Sequence, residues 1–189
     1  LITEQLLAKG FILEEDFTSS YDEVLQKINQ YDGIIIRSRI PLDKNFLENA
    51  QNLKFIARVG AGMENIDLET AKNLGISLIN SPEGNRDAVA EHVLAMLLIL
   101  MNRLFIASEE VKNGIWKREE NRGDELLRKT FGMIGYGKRG KATAKRLSGF
   151  GVEVIFYDIL PNLENEFAKQ VSLEELQERA DILSLHIPL

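Results

Sequence analysis

The chain has 189 residues, enough for one substantial hydrophobic core or two smaller ones. Its net charge of -6 argues against a nucleic-acid partner, because phosphate backbones are bound by basic surfaces. It has no cysteine and only two histidines, which excludes disulfides and thiolate nucleophiles and leaves us expecting no metal site.

Short apolar runs alternate with helical patterns over the first part of the chain. The opening residues, LITEQLLAKG, have a helical pattern and lack a start methionine, so we expect both ends of the sequence to be edges of a fragment. The predicted strands are residues 32–39, 53–60 and 76–82, and the predicted helices between them are 42–50 and 66–75. Uniformly apolar strands separated by helices indicate a parallel sheet covered on both faces.

A long helix, DAVAEHVLAMLLILMNRL at 87–104, opens the second part of the chain. Its apolar run, residues 95–101, is far shorter than the about 20 residues of a membrane span, so we predict a buried core helix and no membrane partner. Alternation then resumes with predicted strands at 129–137, 152–158 and 181–188 and helices at 138–150 and 172–180. Ser172 followed by Glu175 predicts a capping box.

The pattern as a whole predicts an α/β fold with two Rossmann-like or flavodoxin-like lobes built on parallel sheets. We place the boundary near Pro82, so that residues 1–82 form one domain and residues 83–189 the other.

A glycine-rich motif lies at the end of the predicted strand 129–137. Gly135, Gly137 and Gly140 have the spacing G-x-G-x-x-G and open a helix, and Asp158 ends the next strand 18 residues later. In dinucleotide-binding folds these glycines permit a tight turn, let backbone approach the pyrophosphate and allow close helix packing, while the acid binds ribose hydroxyls. The competing interpretations are a glycine turn without a ligand and a solvated acid at a strand end.

Two basic residues, Lys138 and Arg139, stand inside this motif. Their side chains could neutralise phosphate, or they could form a solvated face with Lys141, Lys145 and Arg146. We expect the backbone N–H groups of positions 138 and 139 to bind the cofactor, since a helix N-terminus attracts anions.

Four segments, ARVGAGMENID, NSPEGNRDAVAEH, RGDELLRKTFGMIGYGKRG and DILSLHIPL, together resemble the D-isomer-specific 2-hydroxyacid dehydrogenases, and the phosphoglycerate dehydrogenases among them most closely. The resemblance extends almost continuously over residues 32–189. It implies a substrate domain and a nucleotide domain that meet at a cleft, NAD as the cofactor, and hydride transfer between nicotinamide and a small 2-hydroxy or 2-oxo acid. The resemblance also implies a cytoplasmic homodimer. If the substrate is 3-phosphoglycerate, it implies a role in serine biosynthesis.

The resemblance also assigns site residues. It places Ser81 beside the nicotinamide ring and His186 and Ile187 under the cofactor, although His186 could equally be a buried histidine without a part in catalysis. For the substrate it implies the set Arg37, Ser38, Gly60, Ala61, Gly62 and Asn85, with the three residues 60–62 turning backbone N–H groups toward a carboxylate. Asn85 could instead cap the long helix, and Arg37, Arg39 and Arg58 could recognise a phosphate or be salt-bridged.

The sequence departs from the family pattern in two ways. Arg139 stands where relatives usually have an apolar residue, and Arg128 stands where glycine is common. The family's catalytic arginine, glutamate and histidine correspond to positions beyond Leu189, so we expect no catalytic residue within this chain and no turnover by it. An NAD(H)-sensing corepressor of the same fold is the alternative function, and a structural module without a cofactor is a third, which Asp158 and the glycines disfavour.

Overall fold

The computed structural model describes residues 2–187, which leaves Leu1 and the predicted strand end at Pro188 and Leu189 outside the described residues. The chain divides into two compact units. One runs to Val59 and includes Met63–Asn80, and the other comprises Gly60–Gly62 and the chain from Ser81 onward.

The first unit is a three-stranded parallel sheet in the order β1-β2-β3 with its helices. Its elements in chain order are α1 (Ile2–Ala8), α2 (Tyr21–Lys27), a 3-10 turn (Ile28–Gln30), β1 (Gly33–Ile36), α3 (Lys44–Asn49), β2 (Phe55–Arg58), α4 (Leu68–Asn73) and β3 (Ser77–Asn80). Leu42, Phe46, Leu47 and Ile56 are fully buried and form its core. Ile35 and Ile79 are exposed, so the prediction that every strand is covered on both faces was wrong for β1 and β3.

The second unit is a four-stranded parallel sheet in the order β6-β5-β4-β7. Its elements are α5 (Arg86–Met101), α6 (Leu104–Lys112), β4 (Thr130–Ile134), α7 (Lys138–Leu147), a 3-10 turn (Ser148–Phe150), β5 (Glu153–Tyr157), β6 (Lys169–Gln170), α8 (Leu173–Arg179) and β7 (Ile182–Leu185). The central strands are buried through Phe131, Met133, Ile155 and Phe156. The predicted α/β class with parallel sheets is confirmed.

The long apolar helix differs most from its prediction. It ends at Met101, and a second helix begins at Leu104 after Arg103, whose φ of +51° is left-handed and cannot continue an α-helix. Leu97 is buried, but Leu100 is 75% exposed, so only one side of α5 belongs to the core. Among residues 2–187 no single helix has the length and apolar character to cross a membrane, and only α5 and α6 taken together, bent by 62°, meet those criteria.

Polar side chains fix several helix starts. Asp43 and Asp67 accept hydrogen bonds from backbone N–H groups three residues on, and Ser172 accepts one from Glu175 at 3.1 Å. The predicted N-cap at Ser172 is therefore confirmed. The reciprocal half of the capping box was wrong, because the Glu175 carboxylate contacts Arg179 one turn later.

Arg128 has a φ of +66°, in the left-handed region that favours glycine. Its backbone N–H donates to the carbonyl of Gly151 at 3.0 Å, so the turn before β4 holds this conformation. The departure from glycine at this position places an arginine in a strained backbone conformation.

Candidate functional site

The glycine-rich turn connects the carboxyl end of β4 to the start of α7. Gly135 has a φ of +92°, and a Cβ at this position would lie 2.8 Å from the carbonyl oxygen of His186. A Cβ on Gly140 would lie 2.8 Å from the carbonyl oxygen of Gly135. Both positions therefore require glycine, because the backbone packs against them at distances that no side chain allows.

Gly137 differs because nothing lies within 4 Å of where its Cβ would be. Its φ of -71° and ψ of -162° are accessible to any residue. As the N-cap of α7 it offers no side chain to the first-turn N–H groups. The start of this 10-residue helix thus presents backbone donors beside open space, an arrangement that suits a phosphate group.

The strand order places this turn where the chain changes direction across the sheet. From β4 the chain passes to β5 on one side and later returns to β7 on the other side. Ligands of open α/β sheets bind at the carboxyl ends of strands at such a reversal. Asp158 directly follows β5 and His186 directly follows β7, so the two residues lie on opposite sides of the turn.

Asp158 is bound to the backbone on both of its carboxylate oxygens. One oxygen accepts the N–H of Tyr136 at 2.7 Å, and the other accepts the N–H of Leu160 at 3.0 Å. A carboxylate has further lone pairs, so both oxygens retain capacity for ribose hydroxyls. Asp158 therefore holds the glycine-rich turn to the end of β5 in addition to the role predicted for it.

The two basic residues at the start of α7 have different surroundings. The ammonium of Lys138 forms an ion pair with the carboxylate of Glu83, and both side chains are about half exposed. Arg139 is half-buried, and its guanidinium has no hydrogen-bond or ion-pair partner among residues 2–187.

His186 lies at the end of β7, where its N–H donates to the carbonyl of Ile134 at 2.8 Å. Its Nε2 lies 3.0 Å from the hydroxyl oxygen of Ser184. Burial lowers the pKa of His186, and the positive charge of Arg139 lowers it further. The neutral imidazole is therefore favoured, and Ile187 next to it is exposed.

The loop before α5 contains two of the predicted site residues. Ser81 is exposed and its N–H donates to the carbonyl of Gly60 at 2.9 Å, which brings the segment Gly60–Gly62 next to it. Asn85 occupies the N-cap position of α5, but its side chain makes no capping hydrogen bond. Glu83, in the same loop, joins it to α7 through Lys138.

Arg37 and Ser38 belong to the other unit, directly after β1. The side-chain amide of Asn65 donates to the carbonyl oxygens of Arg37 and Ile40, at 3.2 Å each. The loop that carries Arg37 and Ser38 is therefore held by Asn65.

Two of the three arginines considered for phosphate recognition already form hydrogen bonds through their guanidinium groups. Arg39 contacts the carbonyls of Ser19 and Asp16, and its guanidinium lies 3.7 Å from the Asp16 carboxylate. Arg58 donates to the carbonyl of Val59 at 2.8 Å and to Asn65 at 3.3 Å. Arg37 is the one whose guanidinium has no partner among the described residues.

Sequence reasoning missed three residues that hold predicted site residues in place within their own units. Glu83 and Asn65 act through partners far away in the sequence, and no local pattern identifies such pairs. Tyr136 is fully buried, stacks on Phe156 with ring centroids 3.8 Å apart and donates its hydroxyl to Asn165 at 2.8 Å. Its place between two glycines after an apolar strand was the one available signal that it anchors the turn.

Within residues 2–187 no group of three or more histidine, aspartate or glutamate side chains could hold a metal ion.

Comparison with known proteins places the whole chain among relatives of one kind. The family model described as "D-isomer specific 2-hydroxyacid dehydrogenase, catalytic domain" matches residues 3–183. The chain is 36% identical over 168 residues to a hydroxypyruvate reductase from Thermotoga maritima, covering 89% of this chain and 55% of that protein. It is also 36% identical over 174 residues to a D-3-phosphoglycerate dehydrogenase from Methanocaldococcus jannaschii, covering 89% of this chain and 33% of that protein.

Solved structures give the same result. The TT0316 protein from Thermus thermophilus matches with a TM-score of 0.84 and 30% identity, over 98% of this chain and 61% of that one. A NAD-dependent formate dehydrogenase from Staphylococcus aureus, solved in complex with NAD, matches with a TM-score of 0.81 and 28% identity, over 99% of this chain and 57% of that one. The chain thus spans between about a third and about three fifths of the length of these relatives.

Proposed function

The chain belongs to the D-isomer-specific 2-hydroxyacid dehydrogenase family, and from this premise we propose that it forms part of an oxidoreductase that transfers a hydride between NAD and a D-2-hydroxy acid. The observation that carries the proposal is the open N-terminus of α7 at Gly137, at the reversal of the strand order, with Asp158 fixed beside it. Residues 83–189 would supply the N-terminal part of the nucleotide domain and residues 1–82 the N-terminal part of the substrate domain.

The residues of the turn fit a dinucleotide. Backbone N–H groups at positions 138–140 would hold the pyrophosphate, because Gly137 leaves the space in front of them free. Ser81, His186 and Ile187 would flank the nicotinamide half. When bound, NAD supplies the hydride acceptor for C2 of the hydroxy acid.

Asp158 favours NAD over NADP. Its carboxylate would accept a hydrogen bond from the 2′-hydroxyl of the adenosine ribose in NAD. In NADP a 2′-phosphate replaces that hydroxyl, and its negative charge would be repelled by the carboxylate. Ile159 and Leu160 follow it, so no basic residue stands next in sequence to offset that repulsion.

The proposed substrate class is the small 2-hydroxy and 2-oxo acids. The segment Gly60–Gly62 and Asn85 would bind the carboxylate end, and Arg37 and Ser38 would contact the rest of the molecule. Among such acids 3-phosphoglycerate is the first candidate, since two relatives of similar identity bear the name D-3-phosphoglycerate dehydrogenase and the guanidinium of Arg37 has no partner among the described residues.

We also propose that the protein is a homodimer that associates through the end of α5, α6 and the residues after it. Leu100, Phe105 and Trp116 are 75%, 72% and 79% exposed, and large exposed apolar side chains are typical of interfaces.

The function is tested with a panel of 2-oxo acids and NADH, using a protein that contains this chain together with the family's catalytic arginine, glutamate and histidine. We expect consumption of NADH with one or more of hydroxypyruvate, glyoxylate and phosphohydroxypyruvate, and D-stereochemistry at C2 of the product from hydroxypyruvate or phosphohydroxypyruvate. If NADH binds but is consumed with none of the three acids, the proposed reaction is contradicted. If NADH does not bind, the proposed cofactor is contradicted.

A further inference from the structure

Residues 37–40, here called the substrate loop, are held by two separate sets of contacts. The side-chain amide of Asn65 donates to two carbonyl oxygens of the loop, at 3.2 Å each. The second set starts from the loop itself, because the guanidinium of Arg39 donates to the carbonyl oxygens of Ser19 and of Asp16, the latter at 3.1 Å. Arg39 therefore connects the substrate loop to an earlier turn of the same unit.

Asp16 shapes the turn that accepts the hydrogen bonds of Arg39. Its Oδ1 accepts the backbone N–H groups of Ser19 at 3.0 Å and of Thr18 at 3.2 Å, an arrangement typical of an Asx turn. The same oxygen lies 3.7 Å from the Arg39 guanidinium and compensates part of its charge. Loss of the Asp16 side chain would therefore remove both the charge partner of Arg39 and the contacts that orient its carbonyl acceptors.

The turn is fixed independently of Arg39. Lys27 of α2 places its ammonium 2.7 Å from a carboxylate oxygen of Asp16 and 2.7 Å from one of Glu14. Pairing with Lys27 is the main reason that the pKa of Asp16 lies well below its usual range, so this carboxylate stays charged. Because α2 packs into the core through Val24, the turn gives Arg39 a fixed support.

Arg37 is exposed, and its guanidinium has no partner among residues 2–187, whereas Arg39, two residues later, bonds to the protein itself. A long side chain loses conformational freedom when it binds a ligand, and that loss is smaller where the backbone that carries it is already ordered. The contacts of Arg39 therefore order the backbone of the cation that remains available.

We propose that Arg39 and Asp16 are positioning residues, which fix the substrate loop so that Arg37 binds the substrate, and that neither of them contacts the substrate. The inference rests on the proposed function, in which Arg37 contacts the substrate. It adds the residues on which the affinity of that contact depends.

The test uses a protein that contains this chain together with the family's catalytic arginine, glutamate and histidine. The single variants are Arg37→Gln, Arg39→Gln, Asp16→Ala and Asp16→Asn, and a double variant combines Arg37→Gln with Arg39→Gln. Asp32→Asn is the matched control, because it breaks an exposed ion pair with Lys54 at the start of β1, whereas the substrate loop follows the end of β1.

The measured quantities are kcat, the KM of the 2-oxo acid that the unmodified protein reduces fastest, and the dissociation constant of NADH. Thermal melts first show that each variant is folded. We expect Arg39→Gln and Asp16→Ala to raise the KM of the acid by about threefold to tenfold, the effect of leaving one long side chain and its backbone unordered. Both kcat and NADH affinity should stay unchanged, because neither residue touches the reacting atoms.

Two variants set the scale of this effect. Asp16→Asn should raise KM less than Asp16→Ala, because the asparagine side-chain oxygen can still form the Asx turn. Asp32→Asn should leave KM unchanged.

The double variant separates positioning from direct contact. If Arg39 acts only through Arg37, its replacement should add little to KM once Arg37 is glutamine. Additive increases in KM would mean that Arg39 binds the substrate itself and would overturn the proposal.

Amide hydrogen exchange gives a readout that does not depend on activity. Arg39→Gln and Asp16→Ala should speed exchange in a peptide that covers residues 37–40, because the loop loses one of its two sets of contacts. Asp32→Asn should leave that exchange unchanged, and unchanged exchange in Arg39→Gln would overturn the proposal.

The failure of this inference is distinguishable from the failure of the proposed function. If the unmodified protein reduces no 2-oxo acid, or if Arg37→Gln leaves KM unchanged, the proposed reaction or its substrate contact fails. If Arg37→Gln raises KM while Arg39→Gln and Asp16→Ala do not, the inference alone is overturned. Equal effects of Asp16→Asn and Asp16→Ala would overturn the role of the Asx turn. A parallel loss of NADH affinity, or an equal effect of Asp32→Asn, would show a general structural effect and would also overturn the inference.

Discussion

Gly137→Val separates cofactor binding from folding more sharply than any other change in the glycine-rich turn. A Cβ at Gly137 meets no atom within 4 Å, and the backbone conformation there is open to any residue. The free energy of unfolding should therefore change by no more than about 1 kcal/mol. The same is not true of Gly140, where even a methyl group would lie 2.8 Å from a backbone oxygen.

The loss of binding follows from the space that the side chain would fill. The valine would stand between the pyrophosphate and the backbone donors at the start of α7. Each charge-assisted hydrogen bond lost is worth about 1.5–3 kcal/mol, so the loss of two would cost at least about 3 kcal/mol. At about 1.4 kcal/mol per tenfold, this is a reduction in NADH affinity of more than roughly a hundredfold.

The assay measures NADH affinity by fluorescence titration and stability by urea denaturation. Gly149→Val is the matched control, because a Cβ at Gly149 also meets nothing within 4 Å but lies at the far end of α7. We expect both variants to be folded and only Gly137→Val to lose NADH. A Gly137→Val variant that is folded and binds NADH with unchanged affinity would refute the role given to this glycine.

Three further changes have defined outcomes. Asp158→Ser removes the carboxylate that accepts the Tyr136 and Leu160 N–H groups, so it should lower the free energy of unfolding by about 1–3 kcal/mol. It also removes the negative charge that would repel the 2′-phosphate, so a preference for NADH over NADPH of roughly thirty-fold should become smaller. Both quantities are measured on the same samples. Arg128→Gly should leave the free energy of unfolding unchanged or raise it by up to about 1 kcal/mol, since the φ of +66° is strained for arginine, and a destabilised variant in urea titration would contradict this. The pKa of His186 is lowered in the folded chain, so the unfolded chain binds a proton at this residue first as the pH falls below about 6.5. The free energy of unfolding should therefore decrease below that pH, and His186→Gln should make the decrease smaller. Unfolding curves measured between pH 7.5 and 5 test both expectations.

The sequence predicted most of the elements and the local geometry of the glycine-rich turn. Apolar periodicity and glycine placement are local signals, and the turn is local: Gly135, Gly137 and Gly140 each have the steric surroundings that their spacing implied. Asp158 was also identified from its place at the end of a strand, and it lies beside the turn through its contact with Tyr136.

What the sequence could not predict depends on contacts between distant residues or on backbone conformations without a composition signal. The break between α5 and α6 occurs at Arg103 in a left-handed conformation, inside a continuous helix-forming run. The ion pair of Lys138 with Glu83 joins residues 55 positions apart, and it changes which cation is free at the site.

The account is tested most directly by mapping NADH on the chain with amide NMR. We predict that NADH shifts the N–H signals of the segments 135–140 and 158–160 and of His186, at a stoichiometry of one per chain, and that Gly137→Val abolishes these shifts. Binding that leaves the turn unperturbed, or the absence of any shift at millimolar NADH, would contradict the claim that this turn is the dinucleotide site.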